Sequence, residues 1–142
     1  MDITKEVLDS ILEQVDKTRD VIVCSMDEAG FPNAKAMFLR SHEGLHTFWF
    51  STNVSASRTK RFLENPKACI YFLDSEPIHG LMLTGEMKVY MDNEMKQAFW
   101  EPSDIMYYHQ GPTDPDYCMM SFTADKANYW GGGKYEFDPA SL

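Results

Sequence analysis

The chain has 142 residues, 44% hydrophobic and 13% aromatic, long and apolar enough to enclose a core and without the polar bias of a disordered tail. Its 22 acidic residues outnumber 13 basic ones, for a net charge of −9, which argues against a generic partner of nucleic acid or anionic lipid because like charges repel. No run approaches the roughly 18 apolar residues of a membrane helix, and "MDITKEVLDSILEQVDK" lacks the basic, apolar, then small pattern of an export signal, so the expectation is one domain over residues 1–142 in the cytoplasm.

From Ile3 to Lys17 the apolar residues Ile3, Val7, Leu8, Ile11, Leu12 and Val15 recur at spacings of three and four, which predicts an amphipathic helix. Then "DVIVCSM" reads as a strand, "DEAG" as a turn, "NAKAMFLR" as a second strand, "SHEG" as a turn and "LHTFWFS" as a third strand. Such short connections join antiparallel neighbours. A short helix from Val54 or Ser55 through Glu64 ends at Asn65-Pro66, because proline restricts its predecessor and cannot continue a helix.

Strands "KACIYFL" and "LMLTGEMKVYM" follow, with Gly85 in the second a candidate bulge or barrel bend. Asp92 can cap a further helix carrying Met95, Phe99 and Trp100. "HQGPTDPD" reads as plain loop, and "YCMMSFTA", "KANYW" and "KYEFD" as the last short strands. Six or so antiparallel strands without a βαβ rhythm predict a mainly β protein with short helices, a small antiparallel barrel.

The chemistry concentrates in one place. Residues 31–67 carry Lys35, Arg40, Arg58, Lys60, Arg61 and Lys67 against Glu43 and Glu64, a basic patch in an acidic chain. Within it, "FWFSTNVSASRTKRFLENP" runs from a strand end into a helix start, where unpaired backbone N–H groups and the macrodipole favour an anion. The hydroxyls of Thr52, Ser55 and Ser57 are candidate donors, and Arg58 and Lys60 candidate charges, with Arg58 able to make paired bonds to phosphate oxygens. A solvated helix face is the blander alternative. Neither "GxxxxGK[ST]" nor "GxGxxG" occurs, which disfavours a nucleoside triphosphate or a Rossmann-bound dinucleotide.

Other residue types give less. Cys24, Cys69 and Cys118 sit in apolar, strand-like runs with no CxxC or Cys/His cluster, and read as buried small hydrophobes rather than a metal or redox site. The four histidines are scattered and none is assigned a role. Trp49, Trp100 and Trp130 read as core or interface aromatics, and Trp130, just ahead of "GGG", is the one that is also a candidate lid.

The ordered set "VIVCSMDEAGFPNAKAMFLR", "LHTFWFSTNVSASRTKRFLENPKACIYF" and "LTGEMKVY", with the C-terminal "GPTDPDYCMMSFTADKANYW", resembles the FMN-binding split-barrel family that includes pyridoxamine 5'-phosphate oxidase, and within it the general stress protein 26-like branch. The resemblance implies a homodimer with FMN at the subunit interface. It places Lys35, Ala36, Met37 and Phe38 along the isoalloxazine, with Ser51 and Thr52 at the strand end beside it. Ser57 and Arg58 then hold the 5'-phosphate with Lys60 adjacent, and Trp130 is the possible cover.

The implied activity is a flavin-dependent oxidoreductase with a small-molecule substrate or electron donor. The alternative is a flavin- or haem-binding stress protein without turnover. The Arg-Leu-His-Asp-Arg-like C-terminal signature of the vitamin B6 oxidases is replaced by "YWGGGKYEFDPASL", which argues against that substrate. No catalytic residue and no metal ligand is assigned.

Overall fold

The computed structural model describes residues 2–142. Helix α1 (Lys5–Lys17) starts where the Thr4 hydroxyl accepts the Val7 N–H at 3.2 Å, and it buries Ile11, Gln14 and Val15. It is followed by β1 (Asp20–Met26), β2 (Pro32–Glu43), β3 (Thr47–Asn53), α2 (Ser57–Glu64), β4 (Lys67–Ser75) and β5 (Ile78–Tyr90). The short helix α3 (Asn93–Ala98) then leads through two 3-10 turns, Pro102–Met106 and Gly111–Thr113, into β6 (Tyr117–Trp130) and β7 (Lys134–Phe137).

The strands pair antiparallel in the order β3-β2-β1-β4-β5-β6-β7, and β3 also pairs with β6. That last pairing closes six strands into a barrel and leaves β7 as an extra strand on β6, so the expected split barrel is present. Closure removes both exposed edges of a six-strand sheet.

Alternation along the strands fills the interior. β1 turns Val21 and Val23 inward, β4 contributes Ile70 and Phe72, and β5 contributes Leu81 and Leu83, all at most 3% exposed. Phe48, Phe50 and Phe122 are fully buried with them, and the Phe48 ring lies 5.6 Å from Phe72 and 6.2 Å from Phe122. Burying side chains of this size contributes about 1.5–3 kcal/mol each. A second aromatic cluster of Tyr108, Tyr117 and Met119, backed by Trp49, Phe99 and Trp100, sits outside the barrel wall.

Several sequence expectations change in detail. "YCMMSFTA" and "KANYW" are one continuous strand, because Asp125 is an extra residue opposite the Thr84/Gly85 step of β5. Gly85 is the residue that permits it: a Cβ there would stand 2.0 Å from the Thr123 carbonyl oxygen. Helix α2 begins at Ser57, with Ala56 as its cap, rather than at Val54 or Ser55. The reason is local, since both the N–H and the hydroxyl of Ser55 donate to Asp116, at 2.8 and 3.1 Å, which holds that residue in a turn. The "HQGPTDPD" loop contains a 3-10 turn. Among the described residues no helix is long and apolar enough to cross a membrane.

Candidate functional site

A cavity of about 500 Å³ opens where β2, the end of β3, the start of α2 and the first 3-10 turn converge. β2 supplies Ala36, Met37, Phe38 and Arg40; β3 supplies Ser51, Thr52 and Asn53; α2 supplies Arg58; and the segment after α3 supplies Glu101, Ser103, Asp104, Tyr107 and Tyr108. Its dimensions suit a small organic ligand.

Arg58 is the centre of the site. Its Nη2 donates to the Thr52 hydroxyl at 2.5 Å, while its Nε is buried with no hydrogen-bond partner. Among the described residues no ion pair involves Arg58. Burial alone pulls its pKa below the usual guanidinium value. A buried, unpaired donor on a cation is costly, and an anion in the cavity removes that cost.

Arg40 lies on the opposite wall and is differently employed. The register of β2 on β3 slips between Leu39 and Ser41, leaving Arg40 as the bulged residue. Bulges re-aim side chains, and this guanidinium reaches out of the ladder to Asp104, at 2.8 Å through each of its two amino nitrogens, and to the Phe99 carbonyl at 2.8 Å. It also approaches the Ser51 hydroxyl at 3.4 Å. Burial pushes Asp104 up, but the Arg40 guanidinium and the Glu101 N–H outweigh it and hold the carboxyl below its ordinary value. Arg40 thus ties the 3-10 segment to the barrel as one rim of the cavity.

The strand end is pinned from outside. Asp116 accepts from the Asn53 side chain at 2.8 Å as well as from Ser55, and the Thr59 hydroxyl donates to the Asn53 carbonyl at 2.7 Å. These bonds fix the turn that carries Arg58. Tyr108 closes the far side, its ring centroid 4.7 Å from that of Tyr117, and burial pushes its hydroxyl up to about 12. It is a neutral donor at any physiological pH.

The structure brings together Ala36, Met37, Phe38, Ser51, Thr52 and Arg58 from the sequence expectation. The other four lie elsewhere. Lys35 is exposed opposite Val23, and strand alternation turns it away from the side shared by Ala36 and Phe38. Ser57 and Lys60 border a separate depression with Asp27, Glu28, Arg61 and Glu64, because one helical step turns Ser57 about 100° and two steps turn Lys60 about 200° from Arg58. Trp130 is 49% exposed at the end of β6, twelve residues past Cys118, the partner of Thr52, so roughly 40 Å along the strand at about 3.3 Å per residue. Ser55 is not a free donor, since Asp116 holds it.

Residues that the sequence did not single out are Asp104, Tyr107 and Tyr108, and Arg40 figures in it only as one cation of the basic patch. The "FLRS" run gave Arg40 a charge but no direction. No cluster of metal-binding side chains exists among the described residues.

Residues 6–138 match the family model described as pyridoxamine 5'-phosphate oxidase like. The chain belongs to the pyridoxamine 5'-phosphate oxidase-like family. It is similar to a solved structure from Clostridium acetobutylicum, a protein related to general stress protein 26 of B. subtilis, at 36% identity and TM-score 0.91, covering 98% of this chain and 99% of that one. The fold is shared with a pyridoxamine 5'-phosphate oxidase-related, FMN binding protein from Nostoc punctiforme, at 10% identity and TM-score 0.71 over 96% and 91% of the two chains. It is shared too with a haem binding protein from Mycobacterium smegmatis, at 13% identity and TM-score 0.77 over 98% of this chain and 60% of that one. No curated protein sequence matches the chain.

Proposed function

We propose that this family member is a cytoplasmic, homodimeric FMN protein that works as a flavin oxidoreductase on a small molecule other than a vitamin B6 phosphate. The observation that carries the reading is the buried, unpartnered Nε of Arg58 beside the Thr52 hydroxyl. A terminal phosphate in the cavity that Arg58 lines meets the guanidinium as a charge-assisted partner, and the Nε–H and the Thr52 hydroxyl join once the side chains turn. Ala36 and Phe38 offer a flat apolar wall for a ring system, and the Arg19 guanidinium, 4.3 Å above the Phe38 ring centroid, adds positive charge at the mouth.

FMN, when bound, supplies hydride and single-electron chemistry at its own ring. The protein's part is placement. Arg58 and Thr52 anchor the phosphate, the Arg40–Asp104 pair sets the rim, and Tyr107, exposed and 6.4 Å from the Phe38 ring, borders the space left for a substrate.

A flavin ring against one protomer would remain open on one side. The outer barrel face offers the missing cover: Ala36, Ile22, Tyr71 and Met82 follow one another across four strands in register, and Leu73, Gly80 and Trp130 form the adjoining row. Ile22, Tyr71, Leu73, Ile78 and Trp130 are each at least 36% exposed. A contiguous apolar face of this kind favours self-association. An isologous interface pairs this face with itself, which lets the partner's Trp130 approach Ala36 and Phe38. Trp130 is thereby a cover for the neighbouring site rather than its own. Lys35 and Lys60 contribute charge at longer range, and Ser57 contributes none.

The haem reading has less support, since no histidine lines the cavity. Titrating the purified chain with FMN and with haemin, followed by absorbance and flavin fluorescence, tests the proposal. One FMN per protomer, with reduction by a nicotinamide or other donor, is the expected result. Haemin uptake without FMN uptake overturns it.

A further inference from the structure

Cys24 on β1 and Cys69 on β4 are direct register partners. β1 sends Val21, Val23 and Ser25 inward and Ile22, Cys24 and Met26 outward, so both thiols lie on the outer surface of the barrel. Opposed residues of an antiparallel pair have Cα atoms about 4.5 or 5.5 Å apart, inside the roughly 4.4–6.8 Å that a disulfide spans without backbone movement. Both cysteines are free and half-buried, whereas Cys118 is fully buried.

The pair opens onto a depression of about 410 Å³ edged by the exposed residues Lys67, Glu86 and Asp125. That end of the face is therefore wet, in contrast to the apolar end at Leu73 and Trp130. Burial and the adjacent Cys24 push the Cys69 thiol up to about 11, so Cys69 rests as the thiol at neutral pH.

We propose that Cys24 and Cys69 are a redox pair which a hydroperoxide converts to a reversible cross-strand disulfide. One sulfur attacks the peroxide O–O bond, taking an oxygen to become a sulfenic acid and releasing water or an alcohol. The second sulfur then attacks the first, the S–O bond breaks and water leaves, with both thiol protons accounted for in the two products. Two cysteine sulfurs are oxidised and one peroxide is reduced. The bond staples β1 to β4 one residue pair away from Cα neighbours Val23 and Ile70. This assignment replaces the sequence reading of Cys24 and Cys69 as inert, and it does not depend on a bound flavin.

The test is intact-mass and peptide analysis of the folded full chain after hydrogen peroxide. The expected result is a loss of about 2 Da, the two thiol hydrogens, with a Cys24–Cys69 cross-linked peptide that dithiothreitol separates. Cys118 stays alkylatable only after unfolding, and Cys118→Ser retains the mass loss. Cys24→Ser and Cys69→Ser each abolish it. An unchanged mass at a peroxide dose that oxidises glutathione, a bridge to Cys118, or a bridge between chains overturns the proposal.

Discussion

Arg40 and Asp104 meet as a fork on a fork, Nη1 to Oδ1 and Nη2 to Oδ2, each at 2.8 Å, with side chains 11% and 8% exposed. The pair joins a bulge in β2 to a 3-10 turn 64 residues away. Removing one member leaves the other charge buried, so Asp104→Ala is expected to cost about 3 kcal/mol, the low end of the range for such a break. Urea unfolding measured at neutral pH checks this; a loss under 1 kcal/mol would mean that water takes over the bonds.

The same pair predicts a response to acid. The folded-state pKa of Asp104 is lowered below the ordinary aspartate value of about 3.9. Its stabilisation is therefore fully present above about pH 4 and is lost as pH falls through the lower, folded value. Circular dichroism across that window should show the wild type losing stability more steeply than Asp104→Ala, and parallel curves would assign the acid limb to other carboxylates.

Arg58→Ala is expected to weaken FMN binding by about 1.5–3 kcal/mol, the range for hydrogen bonds to a charged group, or roughly ten- to a hundredfold in Kd. Folding stability should hold or rise, because the variant removes a buried, unpaired donor. Fluorescence titration with FMN, alongside riboflavin as a ligand without phosphate, separates the two effects: the variant and the wild type should bind riboflavin alike.

Asp116 acts at one remove. Its carboxylate holds Asn53 and Ser55, and backbone and side-chain bonds from them keep its pKa below the ordinary value. Asp116→Ala frees the turn ahead of α2, with an expected loss of about 1 kcal/mol in FMN affinity and a smaller loss in the Asp116→Asn variant, which keeps part of the hydrogen bonding. Equal effects of the two substitutions would argue for charge rather than positioning.

At Gly85 the opposing backbone leaves no room for a methyl group. Gly85→Ala must push β5 from β6 at the bulge, with an expected destabilisation of about 2–3 kcal/mol from overpacking. Thermal unfolding measures it, and a variant as stable as the parent would show that the two strands separate there at little cost.

Much of this molecule is written in short stretches of its sequence. The three-and-four spacing of Val7, Leu8, Ile11, Leu12 and Val15 gives α1, alternation gives β1 through β5, Asn65-Pro66 stops α2, and "FWFSTNVSASR" marks a strand end beside an anion-seeking helix start. These features are legible because each depends on neighbours within about one helical turn or one pleat. Tertiary structure alone decided the rest. Closure of β3 onto β6, the slip that releases Arg40 from the ladder and the 3-10 turn that returns Asp104 and Tyr108 to Arg58 join residues far apart in the chain. The opposition of Cys24 to Cys69 likewise needed a register between two strands that are not consecutive. Register and bulges are set by how the whole barrel closes around its core, so a single residue's slip redirects every side chain beyond it, and no local pattern records where that slip occurs.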